Sequence, residues 1–300
     1  MRTPIGGLRL VAASVLALVL LLPAGAAAQA DPFNFRFTSG QSVAPFFDGW
    51  SRNPDGTFEM HFGYINRNHV EEVHVPIGAD NLLESGPEDQ GQPTFFYPRV
   101  HRQVFSVTVP ADFGDRELIW SLTMRGQRQQ AIAWLDAVWE IDPVLRGREP
   151  TDAQRANQAP SLSITAAATT LNLPDTLAVT ATMTDDELPG PRTPRLRARG
   201  QETPPALQPP QDEPRAPVNV PVLRRGTTPS EVKIDEQLSL TWTVLRGPAS
   251  VEVEADSPEP GTDGPASMTA TFTRPGDYLL RARLSDGHLY DEQELAVTVR

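Results

Sequence analysis

Apolar and polar positions alternate with a period of two along most of this chain, as in strands with one buried face. In "TFEMHFGYINRN", Phe58, Met60, Phe62 and Tyr64 share one face, while Glu59 and His61 share the other. "VEEVHVPIG" repeats the pattern, with Val73, Val75 and Ile77 opposite Glu72 and His74. The intervening Asn-Arg-Asn supplies turn residues, so the two runs are expected to pair as a hairpin with a short loop. Further strands are expected at residues 104–109, "VFSVTV", and 117–124, "ELIWSLTM". Residues 130–141, "QAIAWLDAVWEI", carry helical propensity, but the turn-like "MRGQRQ" before them favours a strand paired with its predecessor.

The second half repeats this texture in "SLSITA", "LAVTATM", "LSLTWTVL", "VEVEA", "MTATFT", "YLLRARL" and "ELAVTVR". Leu238, Leu240, Trp242 and Val244 alternate as a buried strand requires. Strands this short and this numerous predict two packed sheets. In "RPGDYLLRARLSDG", Tyr278 follows a Pro-Gly-Asp turn, where its phenol can reach back to nearby backbone. Leu280, Ala282 and Leu284 then alternate with Leu279, Arg281, Arg283 and Ser285, and Ser285-Asp286-Gly287 closes the strand in a turn. The predicted fold class is all-β: two β-sandwich domains, the second carrying a long Pro-rich insertion.

The ends and joints differ in composition. Arg2 and Arg9 precede an apolar run over residues 10–22, Pro23 breaks it, and Ala28-Gln29-Ala30 fits a small-x-small cleavage site. Residues 1–30 therefore read as a secretory signal peptide. The alternative, a membrane anchor, needs roughly 20 apolar residues, more than this run offers. The expected destination is the periplasm or the exterior of a bacterial cell, with no membrane span in the mature chain. Residues 31–144 form the first predicted domain, the polar stretch 145–160 a linker, and 161–300 the second domain. Inside the second, residues 189–229 are crowded with proline and mixed charge and poor in large apolar side chains, so they cannot build a core.

Composition narrows the partners. There are 38 Asp and Glu against 26 Lys and Arg, a net charge of −12, which argues against nucleic acid. The chain has no cysteine, so each domain must rest on an ordinary apolar core.

The segments "LSLTWTVLRGPASVEV", "MTATFTRPGDYLLRARLSDG" and "LAVTV" resemble the PKD-like members of the immunoglobulin-like superfamily. The resemblance is carried by Trp242, Gly247 and Pro248, by Pro275, Gly276 and Tyr278, and by Asp286 and Gly287. It covers residues 161–300 outside the insertion and implies an immunoglobulin-like sandwich. It also implies a spacer, adhesion or carbohydrate-contact role in an exported protein. The first half resembles an uncharacterised group of exported bacterial proteins through "GYINRN", "PIGADN", "GQPTFF" and "VFSVTVP".

Candidate chemistry is sparse. No hydrolase elbow, phosphate loop or dinucleotide fingerprint stands in a usable context. His61 and His74, with Glu72, form a candidate zinc set if the hairpin brings them together. Phe95, Phe96 and Tyr97 in a Pro-flanked loop cannot all enter one core, so they form a candidate aromatic contact surface; the alternative is a loop folded over an open sheet edge. Asp185, Asp186, Asp286 and Asp291 are expected at one pole of the second sandwich, where the linker also arrives. They are candidate calcium ligands that would stiffen the joint between the domains. The alternative is that Asp185 and Asp286 bond turn amides while the other acids face water. The favoured function is a non-catalytic exported binding or structural module with an envelope protein or polysaccharide as partner. An exported hydrolase-like enzyme is the alternative.

Overall fold

The alternating runs of the first half become eight strands: β1 (Val43–Arg52), β2 (Phe58–Asn66), β3 (Val73–His74), β4 (Asn81–Leu83), β5 (Phe95–Phe96), β6 (Arg99–Val109), β7 (Leu118–Met124) and β8 (Gln127–Ala133). The computed structural model describes residues 37–141, 151–188, 228–233, 238–255 and 265–300. The expected signal peptide and residues 189–227 of the insertion lie outside them. Three antiparallel sheets result, ordered β1-β2-β6, β4-β7-β8 and β3-β5. β7 and β8 pair as expected, through Arg125 and Gly126 at φ 50° and 74°. Two consecutive positive φ values make a turn that matches the twist of a hairpin.

Two expectations fail here. The run Phe58–Asn66 does not pair with Val73–His74; it lies between β1 and β6, while β3 pairs with β5. The cause is in the supposed turn. Asn66 and Asn68 are fully buried, and the Asn66 amide donates to the carbonyls of Glu71 and Phe96 while its Oδ1 accepts from Asn68. They pin a loop instead of reversing a strand. Likewise, residues 130–141 are strand only to Ala133, and a 3-10 turn comes next at Ala137–Trp139, capped by Asp136.

Trp120, fully buried, centres the first core. It meets Phe105 and Phe62 edge-on at 4.8 and 6.1 Å and stacks with Phe96 at 6.4 Å. Its Nε1 donates to Asn81 Oδ1 at 2.9 Å, and the Asn81 amide donates to the carbonyls of Val75 and Pro93. Each buried polar atom of this group thus has a partner, as a low-dielectric core demands.

The second half supplies the helix α1 (Asp152–Ala156) and nine strands: β9 (Ser161–Ala166), β10 (Thr170–Leu171), β11 (Thr176–Thr184), β12 (Ser230–Lys233), β13 (Ser239–Arg246), β14 (Val251–Ala255), β15 (Pro265–Phe272), β16 (Gly276–Ser285) and β17 (Tyr290–Val299). They form two sheets, β10-β17-β16-β13-β12 and β14-β15-β11-β9. This is an immunoglobulin-like sandwich. The seven expected strands are present; β10 and β12 are additional, both too short to show a period of their own. Trp242, Leu240, Leu280 and Leu284 from one sheet pack against Leu177, Val179, Met268 and Ala270 from the other. The Tyr278 hydroxyl donates to the Arg274 carbonyl at 2.8 Å, as its turn suggested. The residues resembling PKD-like domains also meet: a side chain at Gly247 would strike the Tyr278 ring, and one at Gly276 would strike Pro248.

β2 and β6 do not pair evenly along their length. Their register shifts between Phe62 and Tyr64, which pair with Phe105 and His101. The extra residues of β6 bulge outward, with Gln103 at φ 48°. Asp48 holds the bulge, accepting from the Gln103 amide at 2.7 Å and from Arg102 at 2.6 Å. Gly63 faces this site, where an added Cβ would lie 2.5 Å from the His101 carbonyl and 2.6 Å from Asp48 Oδ2. Gly63→Ala is therefore expected to lower unfolding free energy by about 1–3 kcal/mol through overpacking, measured by urea denaturation.

Candidate functional site

The segment from Thr94 to Tyr97 joins the two sandwiches. Successive residues of a strand point to opposite sides. Phe96 enters the first core, while Phe95 and Tyr97 enter the second. All three are buried: Phe95 at 3%, Phe96 at 0% and Tyr97 at 3% exposure. They do not form an exposed aromatic surface; no single core holds all three, and two cores share them.

A relay of hydrogen bonds runs along the same line. The Tyr64 hydroxyl accepts from the Tyr97 amide at 2.9 Å, and the Tyr97 hydroxyl accepts from the Val244 amide at 3.0 Å. Burial pushes both phenols above their usual range, so each stays a neutral hydroxyl. The Thr94 amide donates to the Leu245 carbonyl at 3.0 Å, and the Gly247 amide donates to Thr94 Oγ1. β12 pairs with residues 239–242 of β13, and the Thr94–Tyr97 segment takes up the rest of that strand's outer edge. An otherwise open edge, liable to pair with other chains, is thereby covered from the first domain.

Charged groups close the seam. Arg246 makes a two-pronged contact with Asp89 at 2.6 and 2.7 Å and donates to the Gln92 carbonyl. The guanidinium hydrogen bond holds the Asp89 carboxyl below its ordinary range. Arg281 and Arg283 stand opposite Glu294 and Glu292 across β16 and β17 and pair with them. Both also reach the β6 bulge, Arg281 bonding the Val104 carbonyl and Arg283 the Gln103 carbonyl at 3.1 Å. The polar face of "YLLRARLSDG" thus binds the first domain. Beside it lies a crevice of about 190 Å³ lined by Tyr64, His101, Gln103, Thr243, Arg281 and Arg283.

The candidate zinc set does not assemble. His61 lies on β2 between β1 and β6, whereas His74 lies on β3 beside Phe95, and the hairpin that would have joined them with Glu72 is not formed. His61 Nε2 is 2.9 Å from Ser51 Oγ. Burial, chiefly, lowers the pKa of His61 and favours its neutral ring, against the raising influence of Glu59 and Asp48.

The acidic pole does assemble, with different chemistry. The linker end reaches it: Asn157 donates to Asp286 Oδ2 at 2.8 Å, and the Gln158 amide donates to Asp186 Oδ2 at 3.0 Å. Asp286, 4% exposed, also accepts from the amides of His288 and Leu289. Asp185 accepts from the Glu187 amide, Asp186 from that of Leu188, and Asp291 from that of Leu162. Turn, strand and linker groups thus donate to each of these carboxylates, while Asp185 Oδ1 is buried with no partner among the described residues. Among the described residues, no group of three or more His, Cys, Asp or Glu is arranged to hold a metal ion. Burial, with Asp286 and Asp186 nearby, raises the Asp185 pKa despite the Glu187 amide.

No family model matches the chain, and no curated protein matches it. Among solved structures it is similar to the D0-D1 domain of intimin, at 14% identity and a TM-score of 0.24 over 86% of this chain and all of that one. It is similar to a chimeric titin Z1Z2, at 9% identity and a TM-score of 0.25 over 87% of this chain and 99% of that one. It is also similar to the S-layer protein rSbsC, at 9% identity and a TM-score of 0.23 over 87% of this chain and 28% of that one.

The geometry has two measurable consequences. Tyr97→Phe leaves the buried Val244 amide unpaired and is expected to cost about 1–3 kcal/mol, seen as a lower urea midpoint. Asp185→Asn tests the pole. A carboxyl whose folded pKa is raised disfavours the fold while ionised, and that penalty fades as pH falls through the folded pKa. The variant should melt above the wild type at pH near 7 and lose this advantage on acidification, as measured by calorimetry across pH.

Proposed function

We propose that this chain is an exported, non-catalytic binding or structural module in which two sandwiches work as one rigid piece, the second of PKD-like type. Export rests on the leader pattern of Arg2, Arg9, the apolar residues 10–22 and Ala28-Gln29-Ala30. Among the described residues, no helix is long and apolar enough to cross a membrane. The partner class is an envelope protein or polysaccharide, in keeping with the PKD-like resemblance, while the net charge of −12 argues against nucleic acid.

The observation that carries the reading is the seam. The side chains that draw attention in the sequence, Phe95, Phe96, Tyr97, Arg281 and Arg283, are committed to fastening one domain to the other. A hinge-free pair presents its outer faces at fixed spacing, which suits a structural or adhesive part.

One observation favours the alternative of a hydrolase-like enzyme. Ser51 and His61 stand at the distance of a nucleophile and its base, with the imidazole held neutral. The experiment that separates the two applies the mature protein to a broad ester, amide and glycoside hydrolase panel, and in parallel to immobilised envelope polysaccharides. Saturable retention on a polysaccharide without turnover is the expected result. Reproducible turnover that disappears in both Ser51→Ala and His61→Gln would reverse the assignment.

A further inference from the structure

Among the described residues, the second sandwich is open along one flank. β12 ends one sheet and β14 ends the other, and between these edges lies a cavity of about 490 Å³. Its size falls in the range of small-molecule sites, about 300–1,000 Å³. Trp242, Val244, Leu280, Val251 and Val253 give it apolar walls, and Tyr97 from the first domain closes one end. The position follows from the fold of the described residues: β12 is short and the opposite sheet ends at β14, which leaves the cavity between the two edges.

Two features select an occupant. Trp242 is 2% exposed, yet its Nε1 has no hydrogen-bond partner among the described residues. A buried indole N–H without an acceptor is uncommon in a folded core, where nearly all such donors are paired. The polar groups at the rim are Thr228, Ser230, Glu231, Thr243 and Glu252, so the charges among the described lining residues are two carboxylates, and none is basic. An anion is disfavoured there; a neutral or cationic molecule is not.

We propose that this cavity binds a small neutral or cationic amphiphile whose apolar body lies against Val251, Val253 and Leu280 and whose carbonyl or hydroxyl oxygen accepts from Trp242 Nε1. The site is independent of the Ser51–His61 pair and of the seam carbonyls, and it adds small-molecule recognition to a module otherwise read as structural or adhesive.

The test titrates the mature chain with the neutral naphthyl ketone prodan, using the anionic dye anilinonaphthalene sulfonate for comparison. Prodan is expected to bind saturably, one per chain, with blue-shifted emission, and to move the Trp242 indole resonance in proton–nitrogen spectra, the peak being assigned by its loss in Trp242→Phe. That variant keeps an aromatic ring in place and removes the donor, so affinity should fall about fivefold, the weight of one neutral hydrogen bond. Val253→Trp, on an edge strand at the mouth, should abolish binding by filling the space. The proposal is overturned if prodan shows no saturable binding, if the indole resonance stays in place while it binds, or if the sulfonate binds as tightly. Should Val253→Trp fail to fold, the Trp242→Phe affinity and the indole shift decide the matter, and undiminished affinity in Trp242→Phe refutes the contact.

Discussion

Three consecutive residues, Phe95, Phe96 and Tyr97, are shared between two hydrophobic cores, and the arrangement of both domains depends on that sharing. A strand's side chains alternate in direction, so a short extended segment laid between two sandwiches sends Phe96 to one and Phe95 and Tyr97 to the other. The three aromatic rings are buried there and add apolar contact at the seam. The backbone of the same segment satisfies the outer edge of β13 through Thr94 and Leu245. The Tyr64–Tyr97–Val244 relay adds direction, because each hydroxyl must lie where a buried amide needs an acceptor. Neither domain can shift along this line without leaving donors unpaired in a dry environment.

The arginines complete what the aromatics begin. Arg281 and Arg283 are exposed positions of their own sandwich by alternation, yet each guanidinium bonds on two sides: a glutamate on the neighbouring strand and a carbonyl of the β6 bulge. The planar fork of arginine suits this double duty; a lysine ammonium would bond one side well and the other poorly. The carbonyls are available because the bulge turns them out of the ladder, and the bulge persists because Asp48 bonds it from beneath a glycine. Local irregularity in one domain thus becomes the complement of a regular face in the other.

At the acidic pole, backbone amides and the arriving linker meet part of the charge pattern. Asp185, Asp186 and Asp286 converge as the strand connections require, but each finds backbone amides in its own turn or in the arriving linker. The helix α1, fixed by a capping box between Thr151 and Gln154, sets the linker so that Asn157 meets Asp286. Repulsion is partly relieved by amide dipoles, and the raised pKa of Asp185 reflects its burial together with the repulsion that remains.

The sequence by itself determined the strands of the second sandwich, its tyrosine contact with Arg274, the β7–β8 hairpin and the place where the linker and the aspartates gather. These are governed by period-two burial and by turn chemistry, which act over a few residues. Tertiary structure alone decided the partners of β2, the separation of His61 from His74, the destination of Phe95, Phe96 and Tyr97, and the second role of Arg281 and Arg283. Alternation specifies which face of a strand is apolar, not which strand lies beside it, and a polar face reads the same whether it meets water or another domain. Asn66 illustrates the limit: by type it marks a turn, and only the carbonyls of Glu71 and Phe96, brought in from elsewhere, make it a buried hub.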